Sequence, residues 1–455
     1  MSSYTSLTQK SIPSLLWTYA RPSMFASLIT GLYGIVDGIF VGQKMGPPGL
    51  AAITLAFPII SFLIAIGCLI SIGTSIVVNH SLAGRNKHEA KRYIAVGLKM
   101  LLIAGLLTTL ASFFTSEIMA FLGKGTDGYV VDLSQSFVSI ILAGSLIYMA
   151  PIFFNDLLKN LGHPKLAMMG MILGTVVNII LDYIFIFILD LELVGAAVAT
   201  LSGQFIAFLF IYFFIRKNHV FKLKLEKAGK NLSMAFKIIK TGFPSFVIQI
   251  STMALLLIHN RLFLHYGNEL YVSAFGIIGY ALSAYWLISN GFVGGTQPIL
   301  SHNYIKNLNS RVRKTLKLTF IFVISFSLVY SLLFYIFPDQ IIAIFSKHDI
   351  QLYNITKLGF KLVMYALPFA GINVISAMYF QSIGKNKTSI FLAVSRVVFF
   401  MIPLILILPK ALGVNGIFLI IPLSEVFTSV LSITFIYKNL TKDNSYFTVN
   451  HNVET

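Results

Sequence analysis

About twelve apolar runs divide the chain, and each is long enough to cross a lipid bilayer as a helix. Hydrophobic residues make up 56% of the 455 positions and charged residues only 11%, against about 25% charged in typical soluble domains. We therefore predict an all-α integral membrane protein with twelve transmembrane helices, and we exclude a soluble enzyme. The predicted spans lie near residues 14–41, 49–79, 93–115, 133–158, 166–189, 194–215, 239–266, 270–301, 315–337, 355–383, 388–408 and 412–437.

The second half of the chain resembles the first at an offset of about 221 residues. The segment NHSLAGRNKHEAKRYI after the second run resembles SHNYIKNLNSRVRKTL after the eighth, and Gly162 matches Gly384. Six spans in each half give both halves the same orientation, as two pseudo-symmetric six-helix bundles with a substrate cleft between them. The predicted parts are an N-terminal lobe at 1–215, a basic cytoplasmic linker at 216–240, a C-terminal lobe at 241–440 and a cytoplasmic tail at 441–455.

Basic residues concentrate in every second connection between spans, for example Arg85, Lys87, Lys91 and Arg92 after the second span. By the positive-inside rule, these connections and both termini lie in the cytoplasm, which predicts a multi-pass protein of the inner or plasma membrane. This placement accounts for the net charge of +18 without a nucleic-acid partner. The single cysteine, Cys68, excludes a disulfide framework within the chain and a thiol metal site.

One carboxylate interrupts the first span, PSMFASLITGLYGIVDGIFV, at Asp37. An acid inside the membrane costs about 2.5–3.5 kcal/mol or more, and it usually faces a partner or a water-filled cavity. Tyr33 lies one turn earlier on the same helix face, and Pro22 removes a helix hydrogen bond and permits a bend. We interpret Asp37 as the ion-coupling residue of a transporter.

Three polar residues in later spans of the first half could accompany it. Asp182 follows Asn178 by four residues in VVNIILDYIF, so the two share one helix face, and Thr200 follows in the sixth span. Two neighbouring carboxylates would repel each other, which favours binding of a proton or a cation. Which acid carries the proton is open at this point.

The repeat supplies an internal control for these residues. A shift of 221 residues maps Asp37 to Ile258 and Asp182 to Pro403, so the second half lacks the acid pair. A requirement of the fold should appear in both halves, and the asymmetry therefore favours a functional role in the first. The alternative for each residue is a structural contact between helices. For Glu425 and Arg396 in the second half, we favour a structural buried ion pair over coupling.

The order of these segments resembles the MATE family of multidrug and toxic compound extrusion transporters, and within it the DinF-like prokaryotic branch. The resemblance covers nearly the whole chain. The segments that carry it are the PSMFASLITGLYGIVDGIFVG opening, the NLGHP turn, NIILDYIFIF with LVGAAVAT, and QPILSHNY.

The resemblance implies a cation site in the N-terminal lobe made by Asp37, Asn178, Asp182 and Thr200, where H⁺ or Na⁺ would bind. It places Tyr33 beside this site, Pro22 at a bend and Asn155 as a looser match. Other branches carry essential acids in the C-terminal lobe on the seventh and tenth spans. This chain offers no acid there, only amides: Gln249, Asn373 and Gln381.

The implied function is antiport by alternating access, without a cofactor, in which H⁺ or Na⁺ enters while an amphipathic, often cationic compound leaves. The expected partners are such small molecules and the bilayer, and the expected state is a monomer. One alternative is a lipid-linked saccharide flippase of the same superfamily, which should hold pyrophosphate with several basic residues in its cleft. Only Arg396 and Arg261 come close to that requirement. A channel or a membrane-embedded enzyme is the other alternative, and no catalytic motif supports it.

Overall fold

The computed structural model describes residues 10–83, 86–160, 163–217, 232–346 and 349–450, and these residues contain helices but no strand. The helices are α1 (Ile12–Ala83), α2 (Lys87–Leu110), α3 (Thr115–Leu122), α4 (Gly128–Ala143), α5 (Ser145–Asn160), α6 (Pro164–Asp182), α7 (Glu192–Lys217), α8 (Leu232–Tyr266), α9 (Glu269–Ile305), α10 (Asn309–Ile336), α11 (Pro338–Phe345), α12 (Ile350–Val363), α13 (Leu367–Ser382), α14 (Asn386–Ser395) and α15 (Ile402–Asn450).

These helices provide the twelve predicted membrane crossings. In the described part of the chain, nine helices are long and apolar enough to span a membrane, or ten when α4 and α5, bent by 57°, form one span. Two of the ten, α1 and the stretch Lys387–Thr441, turn sharply at an internal glycine, so each holds two crossings. The prediction of twelve transmembrane helices is thus confirmed.

Glycine permits both of these turns. Gly46 has φ 64° and ψ −148°, and Gly413 has φ 58° and ψ −138°, values that are strained for any residue with a Cβ. A Cβ on Gly49 would lie 3.0 Å from the Val41 side chain, although eight residues of straight helix span about 12 Å. The chain therefore reverses at Gly46.

The internal repeat is visible in the helix boundaries. Helices α2, α4, α5 and α6 begin 222 residues before α10, α12, α13 and α14, respectively. This spacing confirms the duplication and corrects the offset by one residue for this part of the chain. Under the corrected offset Asp182 corresponds to Leu404, which is again apolar, so the argument from asymmetry at this position is unchanged.

Contacts between residues divide the chain into two units. The Asp37 unit comprises Leu32–Tyr280 and Ala343–Tyr353, and the Glu425 unit comprises Met1–Gly31, Ala281–Ile342 and Asn354–Thr455. The predicted lobe boundary at 216–240 stays a prediction, since residues 218–231 lie outside the described part of the chain and 232–240 already belong to α8. Helix α15 continues to Asn450, into the predicted tail.

Each unit has its own apolar core. In the Asp37 unit, α7 packs along α6 and against α4 and α5, around buried side chains such as Phe153, Leu157 and Ile211. In the Glu425 unit, α13 is central and packs against α10, α14 and α15. Large apolar side chains remain on the outer faces, as expected for helices surrounded by lipid: on α2 these are Leu102, Ile103, Leu106, Leu107 and Leu110.

Candidate functional site

Asp37 lies on α1 in the Asp37 unit, in the part of that helix that precedes the turn at Gly46. Its side chain is 6% exposed. One turn further along, the Phe40 ring packs edge-to-face on Tyr183 and Phe187, with centroid distances of 6.2 and 5.5 Å. These aromatic contacts hold α1 against the residues that directly follow Asp182.

Asp182 is the last residue of α6, is fully buried, and is followed by a π-helical segment, Tyr183–Ile188. The wider π-helical turn changes the direction in which side chains leave the helix, and such segments are frequent at functional sites. Asn178 lies one turn before Asp182 and is 3% exposed. The predicted shared face of Asn178 and Asp182 is therefore present, and it is buried.

Two glycines bring α6 and α7 into close contact beside these residues. A Cβ on Gly174 would lie 2.7 Å from the Gly203 carbonyl oxygen, and a Cβ on Gly203 would lie 2.8 Å from the Asn178 Cβ. Thr200 lies one turn before Gly203 and is 6% exposed. A pocket with room for about one water molecule separates the helices here, lined by Met171, Gly174, Thr175, Asn178, Thr200, Gly203, Gln204 and Ala207.

Buried polar atoms without a hydrogen-bond partner concentrate in this region. Among the described residues, they include Asp37 Oδ1, both Asp182 carboxylate oxygens, Asn178 Oδ1 and Nδ2, and Thr200 Oγ1. Asn178 lies near the Asp182 carboxylate, but the two groups do not have the geometry of a hydrogen bond. Buried polar groups in folded proteins almost always have a partner, because leaving one unsatisfied costs about 1–3 kcal/mol. A set dominated by oxygen acceptors is suited to a proton or a small hard cation.

The electrostatics of the site point the same way. Asp182 and Asp37 are close enough to interact directly, although they lie on different helices. Within the described ranges, no group of three or more His, Cys, Asp or Glu residues could hold a metal ion. Two carboxylates with an amide and a hydroxyl suit a single proton or a monovalent cation better than a tightly bound divalent metal.

The other predicted residues are Tyr33, Pro22 and Asn155. The side chains of Tyr33 and Pro22 lie outside the described part of the structure, although the backbone of α1 is helical at both positions. Asn155 lies on α5, which packs against α7, and its Oδ1 is buried without a partner in the described residues. It does not line the pocket beside Asn178 and Thr200.

Tyr280 was not predicted from the sequence. It lies on α9, it is 5% exposed, and its hydroxyl has no partner among the residues described. A Cβ on Gly38 would lie 2.5 Å from that hydroxyl, so the glycine next to Asp37 admits the tyrosine. In the sequence, the glycine at position 38 indicates that another group could pack closely beside Asp37, but it does not identify that group as Tyr280.

The Glu425 unit contains the ion pair that we expected, although only its acid is buried and the Arg396 side chain is partly exposed. Arg396 Nη1 lies 2.8 Å from Glu425 Oε1, and Asn373 Nδ2 donates to Glu425 Oε2 at 2.7 Å. Ser432 completes the group by donating to Asn373 Oδ1 at 2.9 Å. Unlike Asp182, the Glu425 carboxylate is satisfied by protein groups.

Comparison with known proteins matches the chain to the family model MatE over residues 22–184 and 244–407, one segment in each half. The chain belongs to the MATE family. It is accordingly a multi-pass membrane transporter and not an enzyme, which confirms the family resemblance and the fold class.

Curated relatives align over nearly the full length. The chain is 25% identical to the multidrug export protein MepA of Staphylococcus saprophyticus over 420 residues, which cover 92% of each protein. It is 24% identical to MepA of Staphylococcus aureus over 421 residues, again 92% of each.

Solved MATE structures share the fold. An inward-facing MATE family transporter of the MOP superfamily matches with a TM-score of 0.79 and 22% identity, covering 93% of this chain and 98% of that one. The MATE multidrug transporter DinF-BH, solved in complex with the dye rhodamine 6G, matches with a TM-score of 0.75 and 26% identity, covering 94% and 96%. A DinF protein among these structures agrees with the predicted branch.

Proposed function

We propose that this MATE protein is a cation-coupled antiporter that exports amphipathic, often cationic compounds by alternating access. The coupling ion is H⁺ or Na⁺, and it binds at Asp37, Asn178, Asp182 and Thr200. The observation that carries this proposal is the concentration, at these four residues, of buried oxygen atoms that have no hydrogen-bond partner among the described residues. The MepA relatives are named multidrug export proteins and DinF-BH a multidrug transporter, which supports drug-like compounds as the exported substrates.

The chemistry follows from charge. With both carboxylates ionised, the site holds two negative charges inside the membrane, and no basic side chain of the described residues is among the groups that act on either acid. A proton or Na⁺ neutralises part of this charge and binds to the carboxylate, amide or hydroxyl oxygens. When the ion leaves and a cationic substrate binds in its place, the negative charge is again compensated. Each pH unit supplies about 1.4 kcal/mol and each charge crossing 100 mV about 2.3 kcal/mol, so one or two ions can drive a useful substrate gradient.

A flippase for lipid-linked saccharides has less support. Such a protein needs basic side chains free to hold pyrophosphate. Arg396 is already bound to Glu425, and Arg261 donates to the Lys124 carbonyl and stacks on the Phe121 ring. The described spans therefore offer a pair of buried acids rather than a cluster of free basic side chains.

Reconstituted protein tests the proposal. Proteoliposomes carry an imposed pH or Na⁺ gradient, and transport of rhodamine 6G is followed by fluorescence for the wild type and for Asp37→Asn. We expect gradient-driven transport in the wild type and background rates in the variant, with unchanged elution from a sizing column. Normal gradient-driven transport by Asp37→Asn would refute the carboxylate site. Lipid translocation without ion movement would favour the flippase.

A further inference from the structure

We propose that the Tyr280 hydroxyl donates a hydrogen bond to the Asp37 carboxylate when that carboxylate is charged and free of its coupling ion. Tyr280 thereby sets how readily Asp37 accepts a proton or a cation. It is a positioning residue that acts through Asp37, and the inference rests on the proposed role of Asp37 in coupling.

The first argument is proximity. Asp37 and Gly38 are consecutive on α1, and Tyr280 approaches this point from α9 within the same unit. A Cβ on Gly38 would lie 2.5 Å from the Tyr280 hydroxyl and closer still to its ring, so the ring occupies the space that a side chain at position 38 would take. The hydroxyl therefore lies against the backbone that carries Asp37.

The second argument is unmet hydrogen bonding. Within the described ranges, the buried Tyr280 hydroxyl has no partner, and neither has Asp37 Oδ1. A tyrosine hydroxyl is a donor and an ionised carboxylate is an acceptor only, so the two groups complement each other. Tyr280 and Asp37 also interact electrostatically. A hydrogen bond to an ionised group is worth about twice one between neutral groups.

The third argument is that packing fixes the tyrosine ring. Phe57 meets it edge-to-face at 5.9 Å, and Phe345 stacks on it at 5.6 Å. Two aromatic contacts restrict the ring to a narrow range of positions, which keeps the hydroxyl at α1. A ring used only to fill space would not need a hydroxyl that is buried without a partner.

Other titratable groups near this point do not replace the tyrosine. Asp182 approaches from α6 and repels the Asp37 charge. Lys44, two turns along α1, is paired with Asp190 at 2.8 Å. His259 on α8 stacks on Phe275, and its Nδ1 contacts the Leu255 carbonyl oxygen at 2.8 Å. Of these titratable groups, Tyr280 is the one that can donate a hydrogen bond to charged Asp37.

The test measures how pH controls binding of rhodamine 6G by purified, full-length protein in detergent. Protonation of Asp37 should release the dye, and Tyr280→Phe removes a donor that favours the charged form. Proton binding then becomes easier, so the midpoint of dye release should move to higher pH by about one to two units. Tyr335→Phe is the matched control: its hydroxyl donates to the Lys361 carbonyl oxygen rather than to a group on α1 or α9, and the midpoint should not move.

A second variant tests the same contact without changing the tyrosine. Gly38→Ala should displace the Tyr280 hydroxyl and move the midpoint in the same direction. Gly34→Ala, with nothing described within 4 Å of the added Cβ, should leave the midpoint unchanged. Gly34→Ala also controls for the general effect of alanine on helix propensity.

The outcomes separate the two proposals. If Asp37→Asn abolishes pH-dependent release while Tyr280→Phe and Gly38→Ala retain the wild-type midpoint, the tyrosine inference is wrong and the proposed function stands. If Tyr280→Phe shifts the midpoint, but equally in the Asp37→Asn background, the tyrosine does not act through Asp37 and the inference is also wrong. If Asp37→Asn releases dye like the wild type, the proposed function fails, and the inference that rests on it fails too.

Discussion

Gly203 on α7 lies directly against Asn178 on α6: a Cβ at position 203 would come within 2.8 Å of the Asn178 Cβ and 2.6 Å of the Gly174 carbonyl oxygen. Two backbones in such close contact leave no room for adjustment at the crossing. The positions of Asn178 and Thr200 in the proposed cation site therefore depend on a residue that bears no polar side chain.

The first prediction concerns that crossing. Gly203→Ala should push α6 and α7 apart, destabilise the protein by about 1–3 kcal/mol, and lower the apparent affinity for the coupling ion. Thermal unfolding in detergent and ion-dependent transport of rhodamine 6G measure the two effects. Gly279→Ala on α9 is the matched control, since nothing described lies within 4 Å of its added Cβ. Equal behaviour of the two variants would contradict the role assigned to the crossing.

The second prediction addresses the coupling ion. Thr200→Val removes an oxygen that can ligate Na⁺ but does not itself take up a proton. If Na⁺ is the ion, the concentration for half-maximal transport should rise about tenfold; if H⁺ is the ion, the pH dependence should stay near that of the wild type. Ser202→Ala on the same helix is the control, because its hydroxyl donates to the Val198 carbonyl at 2.8 Å. Equal effects of Thr200→Val and Ser202→Ala on transport would contradict a specific role of the Thr200 hydroxyl in binding Na⁺.

The third prediction concerns the ion pair of the Glu425 unit. Arg396→Gln should destabilise the protein by about 2–3 kcal/mol, because it leaves the 4% exposed Glu425 side chain charged without its cation. The loss should stay below that of a fully buried pair, since the Arg396 side chain is 36% exposed. Adding Glu425→Gln should recover part of the stability, whereas the folded fraction should keep gradient-driven transport. A double variant less stable than the single one would disprove a structural ion pair.

The fourth prediction concerns the turn between the first two crossings. Gly46→Ala should destabilise the protein by about 1–3 kcal/mol, since φ 64° with ψ −148° is strained for a residue with a Cβ. Gly128→Ala, at a glycine with ordinary φ and open surroundings, should change the unfolding temperature little. A Gly46→Ala protein as stable as the wild type would mean that this turn tolerates another backbone geometry.

Much of the fold could be predicted because it depends on the solvent rather than on particular neighbours. Backbone groups in lipid must be satisfied within helices, so apolar runs of sufficient length define spans regardless of how those spans pack. The duplication was visible because matching segments recur in the two halves of the sequence. The helix starts correct its offset by one residue in the part of the chain that they cover. The candidate site was partly predictable, because acids in such runs are too costly to be incidental.

Other features depended on long-range contacts and could not be predicted. Nothing near Asp37 in the sequence identifies Tyr280, which lies more than two hundred residues away and packs against position 38 only because Gly38 lacks a side chain. The π-helical turn after Asp182 leaves no clear pattern in YIFIFI, an apolar stretch like many others in the chain. Arg396 and Glu425 were paired by hypothesis, but their distance and the bond from Asn373 required coordinates.

The sequence alone determined that this chain spans the membrane twelve times, that its halves are related, and that Asp37 and Asp182 need an explanation. The tertiary structure decided which residues surround those acids. Among the described residues it left Asp37 Oδ1 and both Asp182 carboxylate oxygens without a hydrogen-bond partner, and it satisfied Glu425 with Arg396 and Asn373. The reason is physical: transfer from water to lipid depends on the local composition of the chain, whereas hydrogen bonding of a buried carboxylate depends on helices distant in sequence that pack within a few ångströms of it.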